Sequence, residues 1–352
     1  MRRLATIELV TDIRPIPDAD KIVVCRVRGW DVVIGKDEFR AGDTVVYFEI
    51  DAMLPITTPA DQARYGFLGG PGQPSPKTDP ATGNTGYVLR TARKRGQYSQ
   101  GLVLGLDRFP EINPDRAVIG TDVTDELGIT KWEPPLPAEL ASKALGYRPS
   151  WVPATKEDRI ENEAGIIPAF KGVPAVAREK IDGESTSYAV SPDNPDSVST
   201  RNVELRESDT PMWALARAHR IHALLRSTYP GEHAVLQGET YGPGFKKNPL
   251  RVEAVAFAAF TLRVGGNEVP LDRWPVWATA LAVPTVDLPF PADQAEAKAQ
   301  VDGLRSALNP ERLAEGVVWR AADRTVVVLP SGTPARASFK VISRSYLVKH
   351  GG

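Results

Sequence analysis

Apolar and polar residues alternate over short stretches in the first 130 residues, a pattern typical of β-strands. The clearest strand candidates span residues 22–28, 29–34 and 44–50, and turn residues such as Gly35 and Gly42 separate them. Few segments in this region repeat with the period of a helix. We therefore predict an N-terminal domain of short strands over residues 1–130, arranged as a small barrel or sandwich.

The second half alternates between strand and helix patterns, which predicts an α+β domain with antiparallel sheets over residues 156–352. Thr210-Pro211 is a helix-start signal, and the predicted helix runs past Leu225 and stops before Pro230. A second helix is predicted over about 292–308. The intervening residues 131–155 are rich in proline, so we interpret them as a semi-rigid linker.

Composition narrows the classes of function. The 352 residues correspond to about two domains, and 43 basic against 44 acidic residues leave a net charge of −1. The chain as a whole is therefore not a basic coat for nucleic acid. A single cysteine, Cys25, excludes an intrachain disulfide framework and a cysteine-cluster zinc site. No apolar run is long enough to span a membrane, and the N-terminus lacks the features of a signal peptide, so we expect a cytoplasmic protein without a membrane partner.

The tetrapeptide Lys180-Ile181-Asp182-Gly183 follows a predicted strand and could present an amine nucleophile. A free lysine titrates near ~10.4, so its pKa must fall before the neutral amine can attack. On its own this motif is weak, because the same four residues also form ordinary solvated turns. Its companions further along the chain decide between the two interpretations.

Four later residues supply what a nucleotide site needs. Glu239 ends an apolar strand where a carboxylate can accept ribose hydroxyls, and Glu315 begins another strand. Phe260 can stack on a base, although Phe257 is an alternative and either ring could belong to the core. Lys340 can hold a phosphate as a point charge. The structural alternative for Glu239 is an ion pair with Lys246 or Lys247.

In this order, the residues resemble the covalent nucleotidyltransferase superfamily of ATP-dependent ligases and RNA capping enzymes. Lys180 matches the nucleophile motif, and Arg201 matches the motif whose arginine lies near the nucleotide and the 5′-phosphate. Glu239, Phe260, Glu315 and Lys340 match the remaining motifs in sequence order.

Within that superfamily, the chain is similar to the RNA ligases typified by the Deinococcus enzyme. Arg159 lies 21 residues before Lys180, a strand-rich domain precedes the nucleotide site, and few residues follow Lys340. The stretches over 237–249 and 338–343 are also similar to that group. DNA ligases and capping enzymes place their second domain after the last motif, which argues against both.

The resemblance implies an α+β fold, with an N-terminal OB-type β-barrel followed by an antiparallel-sheet nucleotidyltransferase (ATP-grasp-like ligase) domain. It implies an ATP-dependent RNA ligase that forms a lysyl-AMP on Lys180, adenylylates a 5′-end and seals it to a 3′-hydroxyl. The implied cofactor is Mg²⁺ or Mn²⁺, contacted through water by Asp182 and Glu315, with Arg159 orienting phosphate. The partner is RNA or an RNA-containing duplex with a nick, and no oligomer is implied, so we expect a monomer.

Several points stay open at the level of sequence. Many relatives carry two lysines in the last motif, whereas Ser338 stands in the first position here, and Arg336 is the other candidate for the missing charge. Predicted nucleic-acid contacts outside the motifs are Arg93, Arg95, Tyr98, Lys246 and Lys247. The alternative functions are a catalytically impaired relative that binds nucleic acid and a capping-type guanylyltransferase.

Overall fold

In a computed structural model the chain is described over residues 3–70, 75–79, 82–113, 115, 117–132, 138–163 and 165–351. It divides into two compact units, one formed by residues 1–135 with 347–352 and the other by residues 136–346. Residues 133–137 of the predicted linker lie outside the described residues. The linker boundaries themselves stay a prediction.

The first unit is built mainly from strands, as the alternating pattern predicts. A five-stranded antiparallel sheet has the order β10-β4-β1-β2-β3, and a four-stranded sheet has the order β11-β5-β7-β6. The elements are β1 (Ala5–Pro15), β2 (Ile22–Val27), β3 (Trp30–Gly35), β4 (Thr44–Phe48), β5 (Ala52–Pro55), α1 (Pro59–Tyr65), β6 (Lys77–Thr78), β7 (Thr85–Val88), β8 (Thr91–Lys94), β9 (Gln97–Gln100), β10 (Leu102–Gly105) and β11 (Thr130–Lys131).

Strand β1 is shared between two neighbours, which bends the sheet. Its first half pairs with β4 and its second half with β2, with a register irregularity between Val10 and Asp12. The continuous apolar run of β4 is buried on both faces, since Val45 and Tyr47 pack into one core cluster while Val46 and Phe48 pack into another. This double burial explains why the strand lacks the alternation of a half-exposed sheet.

The second unit contains a seven-stranded antiparallel sheet, β12-β16-β15-β14-β17-β18-β19, and a three-stranded one, β13-β20-β23. Its strands are β12 (Ala144–Tyr147), β13 (Ala175–Lys180), β14 (Glu184–Val190), β15 (Ser197–Ser199), β16 (Val203–Leu205), β17 (Ala234–Tyr241), β18 (Ala256–Val264), β19 (Asn267–Glu268), β20 (Gly316–Ala321), β21 (Val326–Val328), β22 (Pro334–Arg336) and β23 (Ser338–Ile342). Its helices are α2 (Ala138–Ala141), α3 (Ile166–Ala169), α4 (Pro211–Ala218), α5 (Ile221–Thr228), α6 (Val276–Ala280), α7 (Gln294–Val301) and α8 (Arg344–His350).

The two sheets of this unit are joined by one extended segment, residues 283–286. The Val283 backbone N–H donates to Ala259 of β18, and the Glu179 N–H of β13 donates to Pro284, each at 2.9 Å. Helices α4, α5 and α6 pack on one face of the seven-stranded sheet, and α3 and α7 pack on one face of the three-stranded sheet. A third apolar cluster contains Ile181, which directly follows β13, together with residues of β17 and β18, and Phe260 packs against it.

Three sequence predictions differ from the structure in detail. The predicted helix over 210–225 is two helices, because Arg220 adopts a left-handed conformation (φ 52°) between α4 and α5. The predicted helix over 292–308 is only α7. Within the predicted linker, β12 forms a strand that pairs with β16 of the second unit. Residues 347–352 belong to the first unit, where Leu347 packs against a core cluster. No helix in the described ranges has the length and apolar character needed to cross a membrane.

Candidate active site

The predicted nucleophile, Lys180, is the last residue of β13, and its neighbour across the sheet is Gly316 of β20. Glu315 immediately precedes β20, so the pairing brings its side chain to Lys180. The Lys180 Nζ lies 2.6 Å from both carboxylate oxygens of Glu315. Only 26% of the Lys180 side chain and 14% of the Glu315 side chain are exposed, so this ion pair is largely shielded from solvent.

The electrostatics of the nucleotide-free site keep this lysine protonated. Burial alone would lower the pKa of Lys180, but the carboxylates of Glu315, Glu239 and Asp182 together raise it above its ordinary value. The amine is therefore not poised to attack until something neutralises those carboxylates.

Asp182 and Gly183 have separate structural roles behind the nucleophile. The Tyr346 hydroxyl of α8 donates to Asp182 Oδ2 at 2.8 Å, and the Gly183 N–H donates to Glu239 Oε1 at 3.1 Å. A Cβ at Gly183 would lie 2.2 Å from the backbone oxygen of Thr240. Glycine is required there because β14 and β17 approach too closely for a side chain, rather than because of a turn conformation.

The pKa of the Glu239 carboxyl group is raised by this environment. Burial, helped by the nearby carboxylates Glu315 and Asp182 and opposed by Lys180, raises the pKa of Glu239 to about 8. Its carboxyl group therefore holds a proton far more readily than an ordinary glutamate does. No ion pair with Lys246 or Lys247 forms, so the structural alternative for Glu239 is not what the fold uses.

We expect Glu239→Gln to change the pH dependence of stability. A carboxyl group whose folded pKa exceeds its unfolded value contributes stability that is complete below about pH 4.5. That contribution is lost as the pH rises through about 8. The amide avoids this loss, so the variant should melt roughly 2–6 °C higher than wild type at pH 8.5 and nearly the same at pH 5. Thermal melts at both pH values test this, with exposed Glu311→Gln as the control. Equal melting temperatures at pH 8.5 would contradict it.

Lys340 and Arg159 meet on the other side of the three-stranded sheet. Lys340 of β23 donates its backbone N–H to Asp158 at 2.8 Å, and Arg159 forms a parallel bridge with it. Lys340 is also close enough to Glu315 that its charge opposes the rise that burial imposes on the pKa of that carboxyl. Lys340 is therefore near the Lys180 ion pair, and the backbone of Arg159 is held beside Lys340.

A β-bulge distinguishes Phe260 from Phe257. In the pairing of β17 with β18, Gly238 faces Ala259 and Gln237 faces Thr261, which leaves Phe260 as the extra residue. Phe257 is buried in the core and packs edge-on against Tyr188, with ring centroids 4.8 Å apart. Phe260 instead belongs to the half-buried cluster with Ile181, directly beside the nucleophile. This placement favours Phe260 for base stacking.

Ser338 and Arg336, the two residues left open at the level of sequence, both contact Glu157. Ser338 Oγ donates to Glu157 Oε1 at 2.5 Å, and Arg336 Nη1 donates to Glu157 Oε2 at 2.9 Å. The other arm of Arg336 donates to Glu268 Oε1, also at 2.9 Å. Both groups are therefore engaged by carboxylates.

Arg201 lies on the exposed turn after β15 and approaches the site through the segment before Arg159. Its Nη2 donates to the backbone oxygen of Thr155 at 3.4 Å. The Thr155 hydroxyl is 2.9 Å from that of Ser185, which pairs with Glu239 across β14 and β17. The turn is therefore connected to Glu239 through the contact with Thr155 and the contact of Thr155 with Ser185.

The remaining predicted contacts lie on the loop after β17 and on the hairpin of β8 and β9. Lys246, Lys247 and Asn248 all have positive φ angles, between 46° and 59°, a costly conformation for non-glycine residues. In the first unit, Arg95 and Gly96 form the two-residue turn between β8 and β9, both with positive φ. Arg93 lies over the Tyr98 ring, 5.5 Å from its centroid. Each group presents positive charge to solvent.

The donors present suit a hard divalent cation. Asp182, Glu239 and Glu315 surround Lys180 with carboxylate oxygens, yet in the described part of the chain no three acidic, histidine or cysteine side chains are arranged to hold an ion directly. Mg²⁺ and Mn²⁺ retain waters and are commonly held by few carboxylates plus substrate phosphates. The donor set therefore fits contact through water.

Two features of the site escaped sequence reasoning. Tyr346 reaches Asp182 across 164 residues, and nothing in its sequence context indicates that contact. The second is the arginine network, in which Arg320 donates to the Phe260 backbone oxygen and lies 3.5 Å from Glu268. An arginine placed within an apolar strand is the only sequence feature that could have suggested this network.

Comparison with known proteins places this arrangement in a family. A family model described as an OB-fold domain matches residues 4–106, and the model described as RNA ligase matches residues 173–342. An AMP- and Mn-containing structure of a Naegleria gruberi RNA ligase variant is 34% identical, with a TM-score of 0.83 and 99% of each chain covered. The same ligase with PPi gives 34% identity and a TM-score of 0.81, covering 100% of this chain and 99% of the other.

A third structure, of a variant with ATP and Mn, is also 34% identical, has a TM-score of 0.82 and covers 99% of both chains. Comparison with curated protein sequences gave no match. The fold is an N-terminal OB-fold domain followed by an RNA ligase nucleotidyltransferase domain, which confirms the predicted fold class. The chain belongs to the RNA ligase family.

Proposed function

We propose that this RNA ligase uses ATP to seal RNA ends through a covalent AMP adduct on Lys180. The observation that carries the proposal is the ion pair between the Lys180 Nζ and Glu315, 2.6 Å apart, with Glu239, Asp182 and Lys340 around it. One buried amine among carboxylates, beside a half-buried aromatic ring, suits capture of a nucleotide. The Naegleria gruberi RNA ligase structures that contain ATP or AMP with Mn support the same assignment of nucleotide and metal.

The proposed reaction has three in-line displacements at phosphorus. The neutral Lys180 Nζ attacks the α-phosphorus of ATP, an N–P bond forms, and pyrophosphate leaves. A 5′-phosphate oxygen of RNA then attacks the same phosphorus, and Lys180 is released. Finally the 3′-hydroxyl attacks the adenylylated 5′-phosphate and AMP leaves. Positioning and charge neutralisation supply most of the rate in such steps.

Each residue of the site has a role in this scheme. Lys180 loses its proton before attack, so the negative charge of Glu315, Glu239 and Asp182 must first be offset. Mg²⁺ or Mn²⁺, when bound, would supply that positive charge and neutralise phosphate oxygens. Asp182 and Glu315 would contact it through water, and Lys340 and Arg159 would hold phosphate oxygens.

We assign the remaining contacts with nucleotide and RNA from the exposure and charge of the side chains. Phe260 would stack on the adenine, Glu239 would bind the ribose, and Arg201 would meet the 5′-phosphate of RNA. Lys246, Lys247, Arg93, Arg95 and Tyr98 would contact RNA.

The order of an OB-fold domain before the transferase domain supports the Deinococcus-type subclass. The substrate we propose is a nicked RNA-containing duplex, sealed by a monomer.

The decisive test is incubation of the full chain with ATP and Mn²⁺ followed by intact-mass measurement under denaturing conditions. The expected result is a mass increase of one adenylate, removed by adding pyrophosphate, together with sealing of labelled nicked RNA. An adduct formed only with GTP would support a capping-type guanylyltransferase. Binding of nicked RNA without any adduct would support an impaired relative.

A further inference from the structure

The outer edge of the seven-stranded sheet carries an exposed aromatic side chain. Strand β12 is the first in the sheet order, so within the described ranges no strand covers its outer side. Tyr147, which pairs with Val203 of β16, is 92% exposed. Leu145 of the same strand is also exposed (56%), so β12 presents two large apolar groups to solvent.

Three basic residues adjoin the ends of β12 and its neighbour β16: Lys143, Arg148 and Arg206. The Arg206 N–H donates to the Lys143 backbone oxygen at 2.8 Å, and the Arg148 N–H donates to that of Asn202 at 2.9 Å. No described carboxylate lies within ion-pair distance of these three side chains. We call Lys143, Tyr147, Arg148 and Arg206 the β12 edge patch.

The acidic residues nearby do not neutralise the β12 edge patch. The Glu204 carboxylate accepts a hydrogen bond from Ser197 Oγ at 2.6 Å. Glu207 lies 3.8 Å from Arg217 of α4. Neither carboxylate is paired with a cation of the β12 edge patch.

The β12 edge patch is continuous with the candidate active site. Arg148 Nε donates to the backbone oxygen of Arg201 at 3.0 Å, so it braces the turn that carries this arginine. Through Thr155 and Ser185 that turn connects to Glu239, as described above. A polymer bound at Arg201 could extend directly onto the patch.

We propose that the β12 edge patch binds the RNA strand flanking the ends to be joined, with Tyr147 stacked on an unpaired base. The proposal rests on the proposed function, because it extends the RNA path from Arg201. Cations that hold phosphates beside an exposed aromatic ring are the features with which proteins bind single-stranded RNA. Arg148 and Arg206 contact phosphates, and Tyr147 supplies the stacking surface.

Crosslinking and binding test this proposal on the full chain. RNA with a single-stranded segment next to the nick, carrying 5-iodouridine, should crosslink to Tyr147 on irradiation, as located by peptide mass spectrometry. Tyr147→Ala should weaken RNA binding about five- to tenfold. Arg206→Ala should lower the slope of log K against log salt by about 0.7, the value for one phosphate contact to a single strand. Arg305→Ala, an exposed arginine outside the patch whose guanidinium donates to the Glu311 backbone oxygen, is the matched control.

Adduct formation with ATP separates this proposal from the proposed function. Wild type and Tyr147→Ala should form the AMP adduct equally fast, because the tyrosine is remote from Lys180 in the hydrogen-bonded path. Failure of wild type to form an adduct would overturn the proposed function, whereas RNA binding measured without ATP would still test the patch. Unchanged RNA affinity in both Tyr147→Ala and Arg206→Ala, with no crosslink at Tyr147, would overturn the patch proposal.

Discussion

Lys180→Ala is expected to lose all formation of the AMP adduct while keeping the ability to seal RNA that already carries a 5′-adenylate. The amine is the nucleophile only in the first displacement, and in the last one the 3′-hydroxyl attacks the adenylylated phosphate. Removal of an enzyme's nucleophile commonly lowers the rate of its step by about 10⁴-fold or more. The expected loss in ATP-dependent sealing is of that order, whereas sealing of adenylylated RNA should stay within roughly tenfold of wild type.

The measurement is intact mass for the adduct and gel separation of ligated RNA for sealing. Lys171→Ala changes an exposed lysine of the same unit and serves as the matched control. Thermal melting of both variants shows whether the fold is kept. An adduct on Lys180→Ala at the wild-type rate would mean that another residue is the nucleophile, and the proposed reaction would be wrong.

The fold class could be predicted from the sequence, and three of the predicted site residues lie at or near strand ends. Lys180 ends β13, Glu315 precedes β20, and Glu239 lies near the end of β17. In antiparallel sheets the ends of paired strands meet, so residues distant in sequence become neighbours. The roles of these residues remain predictions, although the geometry places their side chains together.

The rest of the site depends on tertiary contacts that leave no local pattern. The bulge that directs Phe260 toward Ile181 arises from the register of β17 with β18 and not from the composition of either strand. The contact of Tyr346 with Asp182 depends on how α8 packs. The protonation of Lys180 is a balance between burial and three carboxylates, and sequence reasoning considered only how the pKa might fall.

Glu315→Gln is expected to shift the pH profile of adduct formation toward acid. The Glu315 carboxylate is the strongest of the influences that raise the pKa of Lys180. Removing a charge in direct contact changes a pKa by about 1–3 units, and here the change is a decrease because the ammonium form loses its partner. The neutral amine then becomes available at lower pH, so the rising limb should move by the same amount. The plateau rate should fall about 10- to 100-fold, because contact with the water shell of the metal is lost.

Single-turnover rates of adduct formation with saturating ATP and Mn²⁺ separate the shift of the rising limb from the fall of the plateau rate. We would measure them from about pH 5.5 to about pH 9.5, which spans the titration of a lysine with a lowered pKa. Glu311→Gln, the same substitution at an exposed site, should leave both the position and the height of the profile unchanged. A lower plateau with an unshifted rising limb would show that Glu315 acts on the phosphates or the metal but does not hold the proton on Lys180. A shift toward alkaline pH would contradict the proposed electrostatics altogether, since it would require the lysine to be more easily protonated after its closest carboxylate is removed.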